Sequence, residues 1–382
     1  MKEKILRSLI TMLLLLYCMK PSAQTITIDG IDYKIHSRDN ECIVTKKNTG
    51  QYSGNLVIKE KIDYEGIFYP VTSIESDAFY RCTELRSISI PNSVNRIGRF
   101  AFYGCSRLTT ITIPNSVNTI GESAFFECTG LSSITIGNSI SYIGNYAFAG
   151  LRRLTSIYID DIEAWCNILF SNNLSNPLSS ADSIYINGEN ITDIIIPNGV
   201  KSIGNYAFYG CDALTSVTIP NSLTNIGESA FAYCDGLTSI SIPNSVVNIE
   251  DDAFKGCHYL ENVTIGISVE NIGMSAFENC NKLSTINSLN PTPPALDVFC
   301  FSDGIKSKCD VFIPNGCLNK YMESDWKNFF SKIKETSSTK IDNILSDNAA
   351  TTLGAFYDLL GNRRTFPVRG INITNGRKII FK

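Results

Sequence analysis

Residues 108–130 read LTTITIPNSVNTIGESAFFECTG, and residues 214–236 repeat nearly the same pattern as LTSVTIPNSLTNIGESAFAYCDG. The Ala-Phe pair inside this pattern returns every 23 residues in two series of four: Ala78-Phe79, Ala101-Phe102, Ala124-Phe125 and Ala147-Phe148, then Ala207-Phe208, Ala230-Phe231, Ala253-Phe254 and Ala276-Phe277. A fixed period of this length indicates a stacked repeat, in which each unit buries its apolar face against its neighbours. The sequence therefore predicts an elongated solenoid with an extended surface, which favours binding over catalysis.

Each unit opens with the segment L-x-x-I-x-I, which predicts a strand with one buried side. Leu108, Ile111 and Ile113 are apolar, and threonines stand between them. Alternation of this kind, rich in β-branched residues, is typical of strands, and Pro114 ends the strand because it lacks a backbone donor. The glycine that follows in most units, Gly121 here, predicts a positive φ or a close backbone approach.

The unit L-x-x-I-x-I-P-N-S-V-x-x-I-G-x-x-A-F-x-x-C resembles the BspA-like leucine-rich repeat family of bacterial surface proteins. The resemblance covers roughly residues 62–335, and it is specific because the motif recurs many times. It implies a right-handed solenoid of 23-residue repeats with a continuous parallel β-sheet on the concave face. It also implies turns and short helical pieces on the convex face, with β-rich caps at both ends.

The chain divides into six segments, of which the first is an export signal. Lys2, Lys4 and Arg7 precede an apolar run, and Ser22-Ala23 offers a small residue for cleavage. Export predicts a secreted or cell-surface protein with no transmembrane span after cleavage; lipidation of Cys18 and association with the outer membrane stay open. The predicted segments are a signal peptide (1–23), an N-terminal β cap (24–61), the solenoid (62–290) with an enlarged repeat at 154–190, a C-terminal cap (291–335), a linker (336–350) and a short C-terminal β segment (351–382).

The 13 cysteines predict a row of buried thiols rather than a disulfide framework. Seven of them sit three residues after the repeated Phe, and Leu151 fills the same slot in one unit. A slot that accepts Leu is an apolar core position, where free Cys behaves as a small hydrophobe. Cys300, Cys309 and Cys317 lie outside this register, and one bridge among them stays open.

Catalytic and cofactor chemistry is not predicted. Only His36 and His258 are present, and Cys257, next to His258, belongs to the core slot. No phosphate-binding, dinucleotide or metal motif occurs, so we predict a protein that is not an enzyme and holds no cofactor or metal. Because the formal net charge is −4 and no long basic block occurs, nucleic acid is not a predicted partner.

The enlarged repeat at 154–190 is one candidate binding element. It contains Trp165 and the pair Asn187-Gly188, and Asn-Gly between alternating apolar runs predicts a β-hairpin. Two alternatives stay open for this insert. Trp165 and its apolar neighbours fill the space of a missing Ala-Phe unit, or the insert protrudes and carries recognition.

The predicted concave face is the other candidate. Its outward residues lie between the buried apolar positions, and we single out Thr110, Thr112, Ser133, Thr135, Ser156, Tyr158, Ser216, Thr218, Ser239 and Ser241. Rows of hydroxyl groups are expected of any solvated strand surface, but they can also form many weak hydrogen bonds to an extended ligand. Tyr158 is the predicted anchor because aromatic residues often dominate binding energy.

The resemblance implies a binding role, with adhesion to host matrix proteins or to other cells as its specific form. A protein ligand is the first expectation, and a glycan is the second. The alternative is glycan or peptide capture for a neighbouring uptake system.

Overall fold

The computed structural model describes residues 23–181 and 183–336, together with the backbone of four strands between 356 and 381. The predicted signal peptide, apart from Ala23, lies outside the described residues. The same holds for the predicted linker, apart from Thr336.

The predicted solenoid is confirmed. The segment L-x-x-I-x-I forms one longer strand in each turn, and these strands stack in parallel, with Ile111, Ile134, Ile157 and Ile184 in one register. We call them the long strands, and their bounds are Gly54–Val57, Leu85–Ser89, Thr110–Thr112, Ser133–Ile136, Ser156–Ile159, Ser183–Ile186, Asp193–Ile195, Ser216–Thr218, Ser239–Ser241, Asn262–Ile265, Thr285–Ser288, Asp310–Pro314 and Ile333–Thr336.

A second row of two-residue strands lies on another side of each turn. It uses the residues just before the repeated glycine, and Thr119–Ile120 pairs in parallel with both of its neighbours. We call these the short strands: Arg96–Ile97, Thr119–Ile120, Tyr142–Ile143, Leu169–Phe170, Ser202–Ile203, Asn225–Ile226, Asn248–Ile249, Asn271–Ile272 and Ala295–Leu296.

The Ala-Phe pair forms a turn on a third side, where the repeats hold hydrogen bonds to the following turn of the solenoid. Phe102 N donates to Ala124 O at 2.7 Å, and Gly104 N donates to Phe126 O at 2.8 Å. Two residues in each such turn have a positive φ, one before Ala and one before Cys, such as Ser123 at 52° and Glu127 at 52°. The regular repeats thus use turns here, without the short helical pieces of the prediction.

The core is built from stacked rings and thiols. Consecutive Phe rings lie 4.9–5.4 Å apart with planes within 8° of parallel, in one stack from Phe79 to Phe148 and a second from Phe208 to Phe301. Offset or tilted ring contacts of this kind add to the burial of apolar area. Leu151 is buried in the cysteine slot, as predicted.

The prediction of buried free thiols is also confirmed. All twelve cysteines within the described residues are free and buried, so the bridge left open among Cys300, Cys309 and Cys317 is not formed. Five of the repeated thiols donate to a Phe carbonyl oxygen 26 residues earlier, such as Cys128 Sγ to Phe102 O at 3.0 Å. The thiol therefore fills apolar space and also bonds the preceding turn.

The glycine that precedes most of the Ala-Phe turns lies at a close approach between backbones. A Cβ on Gly121 would lie 2.5 Å from Arg99 N, and a Cβ on Gly144 would lie 2.6 Å from Glu122 N. Neither glycine has a positive φ. The sequence left open either a positive φ or a close backbone approach, and the structure shows the close backbone approach at these two glycines.

The enlarged repeat completes one turn of the solenoid in an unusual way. After the long strand Ser156–Ile159 come a helix (Ile162–Cys166), the short strand Leu169–Phe170 and two 3₁₀ turns (Asn173–Ser175 and Pro177–Ser180). Phe148 N donates to Leu174 O at 3.3 Å, which continues the bonding of the Ala-Phe turns.

Two side chains of the insert join the two halves of the solenoid. In a regular repeat, the carbonyl oxygen of the Ala residue accepts a hydrogen bond from the backbone N–H of the Phe residue in the preceding repeat. Ala207 O instead accepts Trp165 Nε1 at 2.8 Å and Asn176 Nδ2 at 2.9 Å, and Asn176 Nδ2 also donates to Tyr206 O at 2.6 Å. Side-chain donors thus replace a missing backbone donor, as buried carbonyl groups require.

The same repeat ends in a β-hairpin, as Asn187-Gly188 predicted. Ser183–Ile186 continues the parallel ladder and then pairs with Glu189–Ile191 in antiparallel fashion. Asn187 has a φ of 51° and Gly188 has a φ of 81°, which suit a tight hairpin turn.

The long-strand ladder differs from the predicted continuous sheet in one respect. It is hydrogen-bonded in four pieces, which hold 2, 5, 2 and 5 strands when Glu189–Ile191 is counted with its hairpin. The hairpin explains one break, because Glu189–Ile191 is antiparallel and only Thr192 separates it from Asp193–Ile195.

Both ends of the ring stacks are covered by aromatic residues. The ring of Tyr52 lies 4.7 Å from Phe79 at the N-terminal end, and Phe301 contacts Phe330 at 4.8 Å and Trp326 at 6.1 Å at the other end. Trp326 Nε1 donates to Pro294 O at 2.9 Å. The remaining elements here are the strands Gln24–Ile28, Ile31–His36, Glu41–Val44, Lys61–Tyr64 and Ile67–Ile74, the 3₁₀ turn Asp303–Ile305 and the helices Leu318–Glu323 and Trp326–Phe329.

The C-terminal strands form a small antiparallel sheet of their own, with bounds Phe356–Tyr357, Arg363–Arg364, Gly370–Thr374 and Arg377–Phe381. In the sequence, the pair Asn375-Gly376 falls between the paired strands Gly370–Thr374 and Arg377–Phe381, and it lies outside the described residues. Within the described parts of the chain, no helix has the length and apolar character that a bilayer span needs.

Candidate binding surface

The outward side chains of the long strands form two parallel rows. Successive side chains of a strand point to opposite faces, so the register of the ladder aligns equivalent residues of neighbouring turns. The first row contains Thr110, Ser133, Ser156 and Ser183, and the second contains Thr112, Thr135, Tyr158 and Tyr185. We call this surface the long-strand face.

The ten residues predicted on the concave face all lie on the long-strand face, and none of them is buried. The six from Thr110 to Tyr158 belong to one hydrogen-bonded sheet. The other four lie beyond the hairpin in two further sheets, where Ser216 pairs with Asp193 and Ser239 pairs with Asn262. Ser216 Oγ donates to Asp193 Oδ1 at 2.7 Å, which orders this hydroxyl in the free protein.

A stacked tyrosine pair is the most distinctive feature of this face. The rings of Tyr158 and Tyr185 lie 4.7 Å apart with planes 19° from parallel, and both side chains are half-buried. Tyr185 is a candidate that the sequence analysis missed. The signal was present, because Ser156–Ile159 and Ser183–Ile186 both read SIYI.

Phe312 is a second outward aromatic residue that the analysis missed. It aligns with Asn287 in the second row, near the C-terminal end of the face. The ammonium group of Lys334 lies 5.8 Å from its ring centroid, at the outer limit of a cation–π contact. The long-strand face therefore carries aromatic side chains both beside the hairpin and near its C-terminal end.

The insert contributes less surface than its sequence allowed. Trp165 is only 1% exposed, and Cys166, Ile168 and Phe170 are buried with it. Of the two alternatives, the structure shows the one in which these residues fill the core. The prediction that Trp165 contacts a ligand is wrong, because its side chain is buried. Asn187 and Gly188 are exposed at the tip of the hairpin.

The thiol and imidazole of the neighbouring residues Cys257 and His258 do not face each other. His258 Nδ1 lies 2.8 Å from Asp235 Oδ1 at the surface, whereas the neighbouring Cys257 Sγ donates to Phe231 O at 3.1 Å inside the core. Burial raises the pKa of the Cys257 thiol to about 12, which keeps it protonated and unreactive at neutral pH. Among the described residues, no cluster of His, Cys, Asp or Glu could hold a metal ion.

A solenoid with one long parallel strand in each 23-residue turn has the architecture of the leucine-rich repeat class. The family model called BspA type leucine rich repeat region (6 copies) matches residues 60–176 and 181–306 of the chain. These residues are more than half of the chain, so the chain belongs to this family. No curated protein matches it.

Several solved structures of bacterial leucine-rich repeat proteins are similar to the chain. The pneumococcal vaccine antigen PcpA is 19% identical, with a TM-score of 0.49, and the match covers 83% of this chain and all of that one. A leucine rich cell surface protein from Faecalibacterium prausnitzii is 22% identical, with a TM-score of 0.42 and coverage of 85% and 97%. The leucine rich repeat protein of T. pallidum is 23% identical, with a TM-score of 0.35 and coverage of 68% and 91%.

Proposed function

We propose that the chain is a secreted or cell-surface protein whose long-strand face binds a macromolecular partner, and that it serves adhesion to host matrix proteins or to other cells. The stacked pair of Tyr158 and Tyr185 is the observation that carries this proposal. Two half-exposed rings offer a large, rigid contact area, and tyrosine is among the residues that dominate binding energy.

The surroundings of the pair suit recognition of an extended chain. Hydroxyl groups of Thr135 and Ser156 lie on neighbouring positions of the same sheet, and Asn190 lies opposite Tyr185 on the hairpin. An aromatic centre with a polar rim is the usual anatomy of a binding interface. The repeated hydroxyl groups then supply further weak hydrogen bonds along the solenoid.

Glycan or peptide capture for a neighbouring uptake system is the second candidate. The same tyrosine pair favours it, because an aromatic ring beside hydroxyl and amide groups can hold a sugar ring by stacking and hydrogen bonding. The two candidates share one surface and differ in the ligand.

The proposal is tested with a double substitution, Tyr158→Ala with Tyr185→Ala, in the full chain. We expect binding to immobilised matrix proteins (fibronectin, laminin and collagen) or to whole cells to weaken by tenfold or more, since two anchor residues are worth about 2 kcal/mol or more. Tyr142→Ala is the matched control, because Tyr142 is 39% exposed but lies on a short strand. Its binding should equal that of the unsubstituted protein.

A second set of variants separates the surface from the ligand. Aspartate at Thr110, Ser133 and Ser156 places charge on the first row at positions that are not buried, so binding should be lost while the fold is kept. Equal binding by all variants on every matrix protein and cell type would remove the long-strand face from the adhesion proposal. A saturable carbohydrate on a glycan array, lost in the tyrosine variant, would instead favour the second candidate.

A further inference from the structure

Basic side chains are confined to one part of the solenoid surface. Residues 81–153 contain seven arginines and three glutamates, whereas residues 154–281 contain fifteen acidic residues and two lysines. No arginine occurs from 154 to 336. The first turns of the solenoid thus carry positive charge, and the following turns carry negative charge.

Three of these arginines line one groove. Arg86, Arg107 and Arg153 border a groove of about 570 Å³ that runs along the corner where the chain enters the long strands. Arg107 and Arg153 occupy the same position two turns apart, which places them about 10 Å from each other along the solenoid. Gly130 holds the equivalent position between them and lines the groove without a side chain.

The shape of the groove follows from the packing of Gly130. A Cβ on this residue would lie 2.4 Å from Ser106 O, so a larger residue at position 130 would require the backbone to shift. The gap between the side chains of Arg107 and Arg153 therefore follows from the close packing of Gly130. It leaves room for a ligand group that both guanidinium groups can reach.

Two of the three positive charges in the groove have no ion-pair partner among the described residues. Arg107 is held by an ion pair with Glu84, and both side chains are 54% exposed. Within the described parts of the chain, neither Arg86 nor Arg153 forms an ion pair. Guanidinium groups favour planar oxyanions, which accept two parallel hydrogen bonds.

We propose that this groove binds an acidic glycan, a saccharide that carries sulfate or carboxylate groups. The remaining described lining residues, such as Asn55 and Ser87, carry amide and hydroxyl groups, which match the hydroxyl groups of a sugar. None of the described lining residues is aliphatic or aromatic, so an acidic peptide would find no apolar pocket for its side chains. The acidic turns that follow would repel a long polyanion, and the ligand is therefore a short segment confined to the first turns.

The site is independent of the tyrosine pair, so the two proposals can fail separately. The test uses the purified full chain with a heparin-derived octasaccharide and measures the dissociation constant at low and physiological salt. Arg86→Gln combined with Arg153→Gln should weaken binding by about tenfold or more, since two charge-assisted bonds are removed. The Tyr158→Ala and Tyr185→Ala double variant should retain full affinity for the octasaccharide.

The matched control is Arg96→Gln combined with Arg99→Gln, which removes the same charge from the basic part of the solenoid, at and beside a short strand. Its affinity should change by less than about twofold, because only long-range charge is lost. An equal loss in both variants, or no saturable binding by the unsubstituted protein, would overturn the proposal. A competition experiment adds a second test. If polyglutamate displaces the octasaccharide and an N-desulfated octasaccharide does not, the proposal is overturned and the groove is assigned to acidic protein segments.

Discussion

The cysteine slot illustrates how one residue type serves the solenoid at the residue scale. Its thiol is small enough for the space beside the Phe stack, and the S–H group bonds a carbonyl of the preceding turn. Burial raises the pKa of several of these thiols, to about 12 for Cys211 and Cys257. The folded protein therefore protects them from ionisation and from thiol chemistry.

This protection predicts a loss of stability in alkali. An unfolded thiol ionises near its usual pKa of about 9, whereas Cys257 in the folded state ionises near 12, so the free energy of unfolding falls as the pH rises from 9 towards 12. Between pH 8 and pH 10, the free energy of unfolding of the Cys257→Ala variant should fall by about 1 kcal/mol less than that of the unsubstituted protein. Urea unfolding at both pH values, with a reducing agent present, measures the difference.

Cys257→Ser is the companion variant, because a serine hydroxyl does not ionise in this range. It should show the same reduced alkaline loss as Cys257→Ala. An alkaline loss equal to that of the unsubstituted protein, in both variants, would contradict the prediction.

The Ala-Phe turn is the defining structure at the element scale, and it depends on left-handed residues. The residue before the cysteine slot has a positive φ in each regular repeat, as Arg81, Gly104, Glu127 and, before Leu151, Gly150 illustrate. Only glycine adopts this conformation without a steric penalty. The regular hydrogen bonds to the next turn hold the other residues there.

Glu127→Gly should accordingly stabilise the protein. Glu127 is exposed with a φ of 52°, and its two neighbours along the stack, Gly104 and Gly150, are already glycine. Relief of the left-handed conformation should raise the free energy of unfolding by about 1 kcal/mol. Thermal or urea unfolding followed by circular dichroism measures this change.

Glu261→Gly provides the control, since Glu261 is exposed but has no positive φ. There the added flexibility of the unfolded chain should lower stability by about 0.5–1 kcal/mol. Destabilisation by both substitutions would show that the left-handed conformation carries no penalty at Glu127.

At the scale of the whole molecule, the chain is two ring stacks joined by one irregular turn. Repeat proteins distribute stability between neighbouring units, so the joint determines whether the two stacks unfold together. Here the contact rests on Trp165 and Asn176, which donate to Ala207 O in place of a backbone group. The insert therefore acts as a structural joint.

Asn176→Ala should weaken this joint. Asn176 is fully buried and donates to two carbonyl groups, so its loss should lower the free energy of unfolding by about 1–3 kcal/mol. Fluorescence of Trp165 in a Trp326→Phe background reports on the joint, because the chain has only two tryptophans. Asn167→Ala, at an exposed position of the same insert, should cost less than about 0.5 kcal/mol. Equal effects of the two alanines would contradict the role of Asn176.

The repeat period predicted the solenoid, the strand register and the core identity of Cys128 and its equivalents, because each depends on a pattern that recurs many times. The left-handed positions were missed because residues as different as Arg81, Glu127 and Tyr233 occupy them. Tyr185 was missed because it follows Tyr158 by 27 residues instead of the 23 of a regular repeat. The arginine groove brings together residues from different turns, and no local motif marks it.

The hydrogen bonds between neighbouring turns determine by how many residues such a chain can change its length. Bonds that recur at separations of 23 residues, such as Ser132 Oγ to Thr109 O and Thr155 Oγ1 to Ser132 O, give neighbouring regular units matching donors and acceptors. Duplication or recombination that adds or removes one whole copy therefore restores every contact at the new junction. A change by any other number of residues must bring its own replacements, as the insert does with Trp165 and Asn176. Copy number is thus the natural variable of this molecule, and the reach of its surface can change in a single genetic step.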